Sequence, residues 1–264
     1  MSVLPKTLFF DLDDTLLWDK KSIDTALGKT ADDAAERYEL DSGELVAQVR
    51  KVAPELYSRL SSYEFTKKIG INPFEGLWGE FGDAIHHGFR KMGEEVPGYQ
   101  RLVWKTAINN LGVNGESDTF RDKFIEYRKA SPFLYEETFD VLEELKQRKH
   151  RLVMVTNGAP SLQLEKLRIT PELVPYFEHI VISGNVGEGK PEKAVFDHAL
   201  RLTEEAPDNV LMIGDNLKTD ILGANRSGIE SVWIRHDPSA SPQQDVDGQP
   251  THTISRLKEI FSVL

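Results

Sequence analysis

The stretch that most constrains this chain is Leu8-Phe9-Phe10 followed by Asp11-Leu12-Asp13-Asp14-Thr15. The apolar run reads as a buried parallel strand, and three carboxylates stand where it should end. In an open α/β sheet, ligands bind outside the carboxyl ends of the strands, so acids at such a tip point to chemistry more than to surface decoration. If the backbone stays extended, Asp11 and Asp13 project to the same side. Like charges placed there repel, which a divalent cation between them or a proton on one of them would relieve. Asp-Asp-Thr is also good turn and helix-capping chemistry, so the rest of the chain has to decide.

From Ser22 to about Ala130 the pattern is helical throughout. Ser22 can cap a first helix carrying Ala26, Ala34, Ala35 and Tyr38, and Asp41 or Ser42 can cap a second through Leu45, Val49, Val52, Leu56 and Leu60, with a kink at Pro54. Ser62 to Ile69 adds a short helix. Asn72-Pro73 starts another, with Phe74, Leu77, Trp78 and Phe81 as an apolar stripe that reads as core more readily than as a base-binding pocket. Pro97 opens a helix running to Gly112, and Asp118 opens the last. Strand-helix alternation resumes at Pro132. Helices at Glu136–Arg148, Pro160–Arg168, Lys193–Leu202, Asp220–Ser227 and from Ser255 interleave with strands at Arg151–Thr156, His179–Ser183, Val210–Ile213 and Ser231–Ile234. The expectation is a Rossmann-like, doubly wound parallel sheet (1–17 and 131–264) with an all-α domain (18–130) inserted into it. Asp237–Pro250 reads as a mobile surface loop.

Three further polar clusters follow strands. Thr156-Asn157-Gly158 offers a hydroxyl, an amide and peptide N–H groups at a helix start, which suits a phosphate. Gly187-Glu188-Gly189-Lys190-Pro191 pins Lys190 between glycine and proline, where its point charge can meet a phosphate oxygen. Gly214-Asp215 and Asp220 flank a turn into a helix; with Asp11 and Asp13, Asp215 offers the all-oxygen shell that magnesium prefers. Gly184 to Lys190 matches the glycine and lysine spacing of a nucleotide P-loop, but Pro191 has no hydroxyl for a metal, so that reading is rejected. The seven histidines form no zinc pattern.

A formal net charge of -11 with no basic patch argues against a nucleic-acid partner. No apolar run approaches the roughly 18 residues of a membrane span, and Met1 to Lys6 lacks the features of a signal peptide. With zero cysteines, the expected setting is the cytoplasm. The sequence leaves the oligomeric state open.

Asp-x-Asp-x-Thr, Thr-Asn-Gly, Gly-Lys-Pro and Gly-Asp-x-x-x-x-Asp, in that order at strand ends, resemble the haloacid dehalogenase superfamily of phosphatases, and the inserted helices resemble its C1-type cap, which closes over the site and selects the substrate. The resemblance implies that Asp11 is the nucleophile and forms an aspartyl-phosphate, while Asp13 is general acid and then general base. It places Mg2+ on Asp11, the backbone carbonyl of Asp13 and Asp215, with Asp220 supporting the metal directly or through water. Thr15, Thr156, Asn157, Gly158 and Lys190 would serve the phosphoryl group, with Lys190 also balancing Asp11. The implied substrate is a small phosphorylated metabolite such as phosphoserine, a nucleoside monophosphate or a sugar phosphate, with Trp18 and Lys20 as candidates to touch it. Relatives that dehalogenate 2-haloacids or cleave phosphonates lack the second acid, which is present here as Asp13. A silent binding protein would normally have lost a catalytic group, and none is missing.

Overall fold

The structure is a computed structural model that describes residues 7–115, 117–236 and 248–264. Among the described residues six strands, β1 (Thr7–Phe10), β2 (Arg151–Thr156), β3 (His179–Ile182), β4 (Val210–Gly214), β5 (Glu230–Ile234) and β6 (His252–Ile254), form one sheet in the order β3-β2-β1-β4-β5-β6. Every pairing is parallel, with Phe10 of β1 opposite both Met154 and Ile213. The order reverses beside β1, which is the crevice where doubly wound sheets bind ligands. Because all six strands run one way, the residues that follow them share one edge.

Strand alternation sends Phe9, Val153, Val155 and Met212 to one face, where they pack with Val195, Phe196 and Ala199 of α10 (Lys193–Thr203) and Ala224 of α11 (Leu222–Arg226). β6 was absent from the sequence reading, being three residues long and split from β5 by a polar stretch. The expected C-terminal helix from Ser255 is instead a 3-10 segment, Leu257–Ser262. Of the expected loop Asp237–Pro250, residues 237–247 lie outside the described residues.

The described residues form two compact units: one within Met1–Trp18, Leu134–Gly158 and Thr170–Leu264, the other within Asp19–Phe133 and Ala159–Ile169. The second unit holds α1 (Asp19–Tyr38), α2 (Ser42–Tyr57), α3 (Tyr63–Ile69), α4 (Pro73–Gly76), α5 (His87–Asn110), α6 (Ser117–Ala130) and α8 (Pro160–Ile169). The first keeps α7 (Thr138–Gln147), the short α9 (Ser183–Val186), α10 and α11. The expected boundaries differ from this in one whole element. Although α8 follows β2 in the chain, its Ala159 and Leu162 are buried in the core of the helical unit, and its Lys166 pairs there with Glu75 at 2.8 Å.

Asp41 caps α2 by accepting from the Glu44 N–H at 2.7 Å, and Asn72 with Glu75 forms a capping box on α4. Ser22 is no cap: α1 already starts at Asp19, and the buried Ser22 hydroxyl accepts from the Phe133 N–H at 3.2 Å. Pro97 opens nothing either. It lies inside α5, whose cap is His86, with Nδ1 accepting from Gly88 N–H at 3.0 Å. Leu77, Trp78 and Phe81 of the apolar stripe are buried in this unit's core, with Phe74 packed against it. Among the described residues no helix is long and apolar enough to cross a membrane.

Candidate active site

Past Phe10 the chain stops being a strand. The N–H groups of Leu16 and Leu17 both donate to the Leu12 carbonyl, and Asp14 takes a left-handed conformation with φ 56°. The chain therefore turns within residues 12–17, after Asp11, whose N–H still donates to the Ile213 carbonyl at 2.9 Å. Among the described residues, the carboxylates that converge are Asp11, Asp215 and Asp220, with one oxygen of each within 4.8 Å of the others. The carboxylate of Asp13, half-buried, is outside that group.

Lys190 brings an ammonium into this cluster. Its Nζ lies 2.5 Å from Asp11 Oδ1 and 2.6 Å from Asp220 Oδ1, and donates to the Val155 carbonyl at 2.8 Å. Asn157 holds the backbone on which that lysine sits: its Oδ1 accepts from Lys190 N–H at 2.8 Å and its Nδ2 donates to Lys190 O at 3.0 Å. Gly214 makes room for Asp220, since a Cβ there would stand 2.3 Å from Asp220 Oδ2.

Two other sequence-assigned residues turn out to be spent inside the protein. Thr15 is fully buried; its hydroxyl donates to Asp11 Oδ2 at 3.4 Å and accepts from Asp215 N–H at 3.1 Å, so it ties two acid loops together. Gly158 N–H donates to Ser183 Oγ at 2.9 Å, which removes it as a phosphate donor in this arrangement. Ser183 was missed in the sequence; its only signal was a polar residue directly after the apolar run of β3. Thr156 is buried at the end of β2 and Asn157 is half-buried beside it. Of the two substrate-contact candidates, Trp18 is 38% exposed and Lys20 lies in α1 of the helical unit.

Burial pushes the Asp11 carboxyl up to about 6; Lys190 pulls it down and Asp220 adds to the rise. Burial, then the charges of Asp220 and Asp11, push Asp215 well above the usual carboxylate range. Burial pulls Lys190 down, but Asp11 and Asp220 outweigh it and hold the ammonium above the ordinary lysine range. Three carboxylates (−3) and one ammonium (+1) leave a formal −2 in a largely buried cluster of oxygen ligands. That donor set and that charge fit one Mg2+.

A model of the haloacid dehalogenase-like hydrolases matches residues 5–228, which include all four strand-end clusters. This chain belongs to the haloacid dehalogenase-like hydrolases. Among its relatives is a phosphoserine phosphatase of Thermus thermophilus, 31% identical over 97% of this chain and 98% of that one. A glyceraldehyde 3-phosphate phosphatase of Pyrococcus furiosus is 32% identical over 98% of this chain and 92% of that one. In fold, this haloacid dehalogenase-like chain is similar to the HAD-hydrolase YfnB of Bacillus subtilis bound to magnesium (TM-score 0.65, 23% identity, 99% of each chain).

Proposed function

We propose that this protein is a magnesium-dependent phosphatase that hydrolyses a small phosphate monoester through an aspartyl-phosphate on Asp11. The observation that carries the reading is the buried cluster of Asp11, Asp215 and Asp220 with Lys190, at the carboxyl edge of the sheet and formally −2. The carboxylates of Asp11, Asp215 and Asp220 and the backbone carbonyl of Asp13 would hold the metal. When bound, Mg2+ supplies the positive charge that lets an anionic carboxylate approach an anionic phosphate.

Each remaining role falls to a residue of the chain. Lys190 keeps Asp11 ionised and fixed for attack on phosphorus, and Asn157 fixes Lys190 by its two backbone bonds. Asp13, outside the cluster, delivers a proton to the leaving alkoxide and takes one from the water that hydrolyses the acyl phosphate. Thr156 and the Asn157 N–H, at the end of β2, are assigned to the phosphoryl oxygens. Thr15 becomes a residue that positions Asp11 and Asp215.

Relatives matched over nearly the whole chain include proteins named for phosphoserine and for glyceraldehyde 3-phosphate, both phosphate esters of a primary alcohol on a three-carbon skeleton. We assign this chain the same class, with phosphoserine tested first; a cytoplasmic setting fits its zero cysteines. The test is phosphate release from a panel of three-carbon, sugar and nucleoside phosphates, with Mg2+ or excess chelator, for wild type and Asp11→Asn. Mg2+-dependent release from a three-carbon ester, absent in Asp11→Asn, is the expected result. Steady-state turnover by Asp11→Asn, or halide release from a 2-haloacid with no phosphate release from any ester, would overturn it.

A further inference from the structure

Strand β5 contributes no reactive residue, yet two side chains at its carboxyl end hold the backbone of both acid-bearing loops. Trp233 Nε1 donates to the carbonyl of Asp215 at 2.8 Å. His236, two residues past the end of β5, brings Nε2 to 3.3 Å from the carbonyl of Thr15. A carbonyl only accepts, so His236 grips that loop in the state whose Nε2 carries a proton. The imidazole is itself fixed: it stacks on Tyr135 with centroids 3.4 Å apart and planes 8° from parallel, and Tyr135 N–H donates to the Leu16 carbonyl at 3.2 Å.

The two anchored carbonyls belong to loops that are joined by the Thr15 hydroxyl, between Asp11 Oδ2 and Asp215 N–H. This closes a frame: β5 to the Asp215 loop, that loop to Thr15, and Thr15 back to the end of β5. Such a frame has work to do. The carboxylates of Asp11 and Asp215 repel each other, and free loops would relieve the repulsion by moving apart. A carbonyl anchor fixes the peptide plane from which each carboxylate projects, so it opposes that movement without touching metal or substrate.

We infer that Trp233 and His236 are positioning residues for this reaction, setting the spacing of Asp11 and Asp215 for a divalent cation. The inference rests on the metal-dependent reading of the site. Removing an outer partner of a metal ligand commonly weakens binding by about 10- to 100-fold.

The test is Mn2+ binding to substrate-free protein, followed by electron paramagnetic resonance, on wild type, Trp233→Phe, His236→Leu and His236→Gln, with thermal midpoints by circular dichroism. Trp233→Phe keeps an aromatic ring and loses the N–H, and His236→Gln keeps a donor near the reach of Nε2. The expected result is a rise of about 10-fold in the Mn2+ dissociation constant for Trp233→Phe and His236→Leu, with His236→Gln within about 3-fold of wild type. A lowered thermal midpoint with an unchanged dissociation constant marks a purely structural role and overturns the inference. Should His236→Leu fail to fold, Trp233→Phe decides alone, because its ring still fills the site. Wild type that binds no Mn2+ refutes the metal-dependent reading and this inference together, whereas tight binding by wild type and both variants refutes the inference alone.

Discussion

Lys190→Met removes the ammonium from the carboxylate cluster and leaves an unbranched apolar chain in its place. The ammonium has partners at 2.5 Å (Asp11), 2.6 Å (Asp220) and 2.8 Å (Val155 carbonyl), and the side chains of Lys190, Asp11 and Asp220 are 2%, 10% and 1% exposed. Its loss takes the formal charge of the cluster from −2 to −3. Stranding one member of a buried ion pair costs about 3–5 kcal/mol, and here two carboxylates are stranded at once. The least costly relief is a proton on Asp11, whose carboxyl already sits at about 6 because of burial. A protonated Asp11 is no nucleophile. If that 3–5 kcal/mol is lost from transition-state stabilisation, at about 1.4 kcal/mol per decade, kcat/KM falls by about 10^2- to 10^4-fold. The assay is steady-state phosphate release under saturating Mg2+ across a pH series, on the best ester of the panel. Besides the fall, the acid limb of the kcat/KM profile should move to higher pH, since Asp11 now holds its proton longer. A Lys190→Met enzyme within about 10-fold of wild type, with its acid limb unmoved, would refute the reasoning.

The metal-free protein should also report the strain on Asp11. Its carboxyl is raised from 3.8 to about 6, so the folded state holds the proton longer; the associated stability is fully present below the unfolded value and is lost as pH rises through the folded one. At about 1.4 kcal/mol per pH unit between the two values, the part lost between pH 4 and 6 is roughly 2 kcal/mol, and Asp11→Asn should abolish it. Urea unfolding of both proteins in chelator at the two ends of that window is the check, and an unchanged difference between them would sink the claim. In the helical unit, Lys166 and Glu75 form an ion pair at 2.8 Å with side chains 0% and 4% exposed. Lys166→Met should cost about 3–5 kcal/mol of stability, and Glu75→Gln added to it should recover part by neutralising the stranded carboxylate. A single-variant cost under about 1 kcal/mol, the range of an exposed pair, would contradict this.

The sequence by itself determined the fold class, the helical insertion and the four polar clusters, three of them directly after a strand and the Lys190 cluster after the short α9. These are local signals: an apolar run of strand length, a turn residue, a cap, a change of period from two to 3.6. Asp41 and Asn72 were readable as caps for the same reason, because each bonds within three residues. The tertiary structure decided what those clusters do to one another. Asp11 meets Lys190 across 179 residues and Thr15 meets Asp215 across 200, and both meetings follow from the strand order, which no local pattern encodes. The same is true of the residues that read wrongly. Ser22 looked like a cap until α1 began three residues earlier, and α8 looked like a sheet-covering helix until Lys166 found Glu75. A side chain's chemistry is written in its residue type, but its partner is set by where the sheet brings the backbone, and in a parallel sheet every neighbour comes from a distant part of the chain.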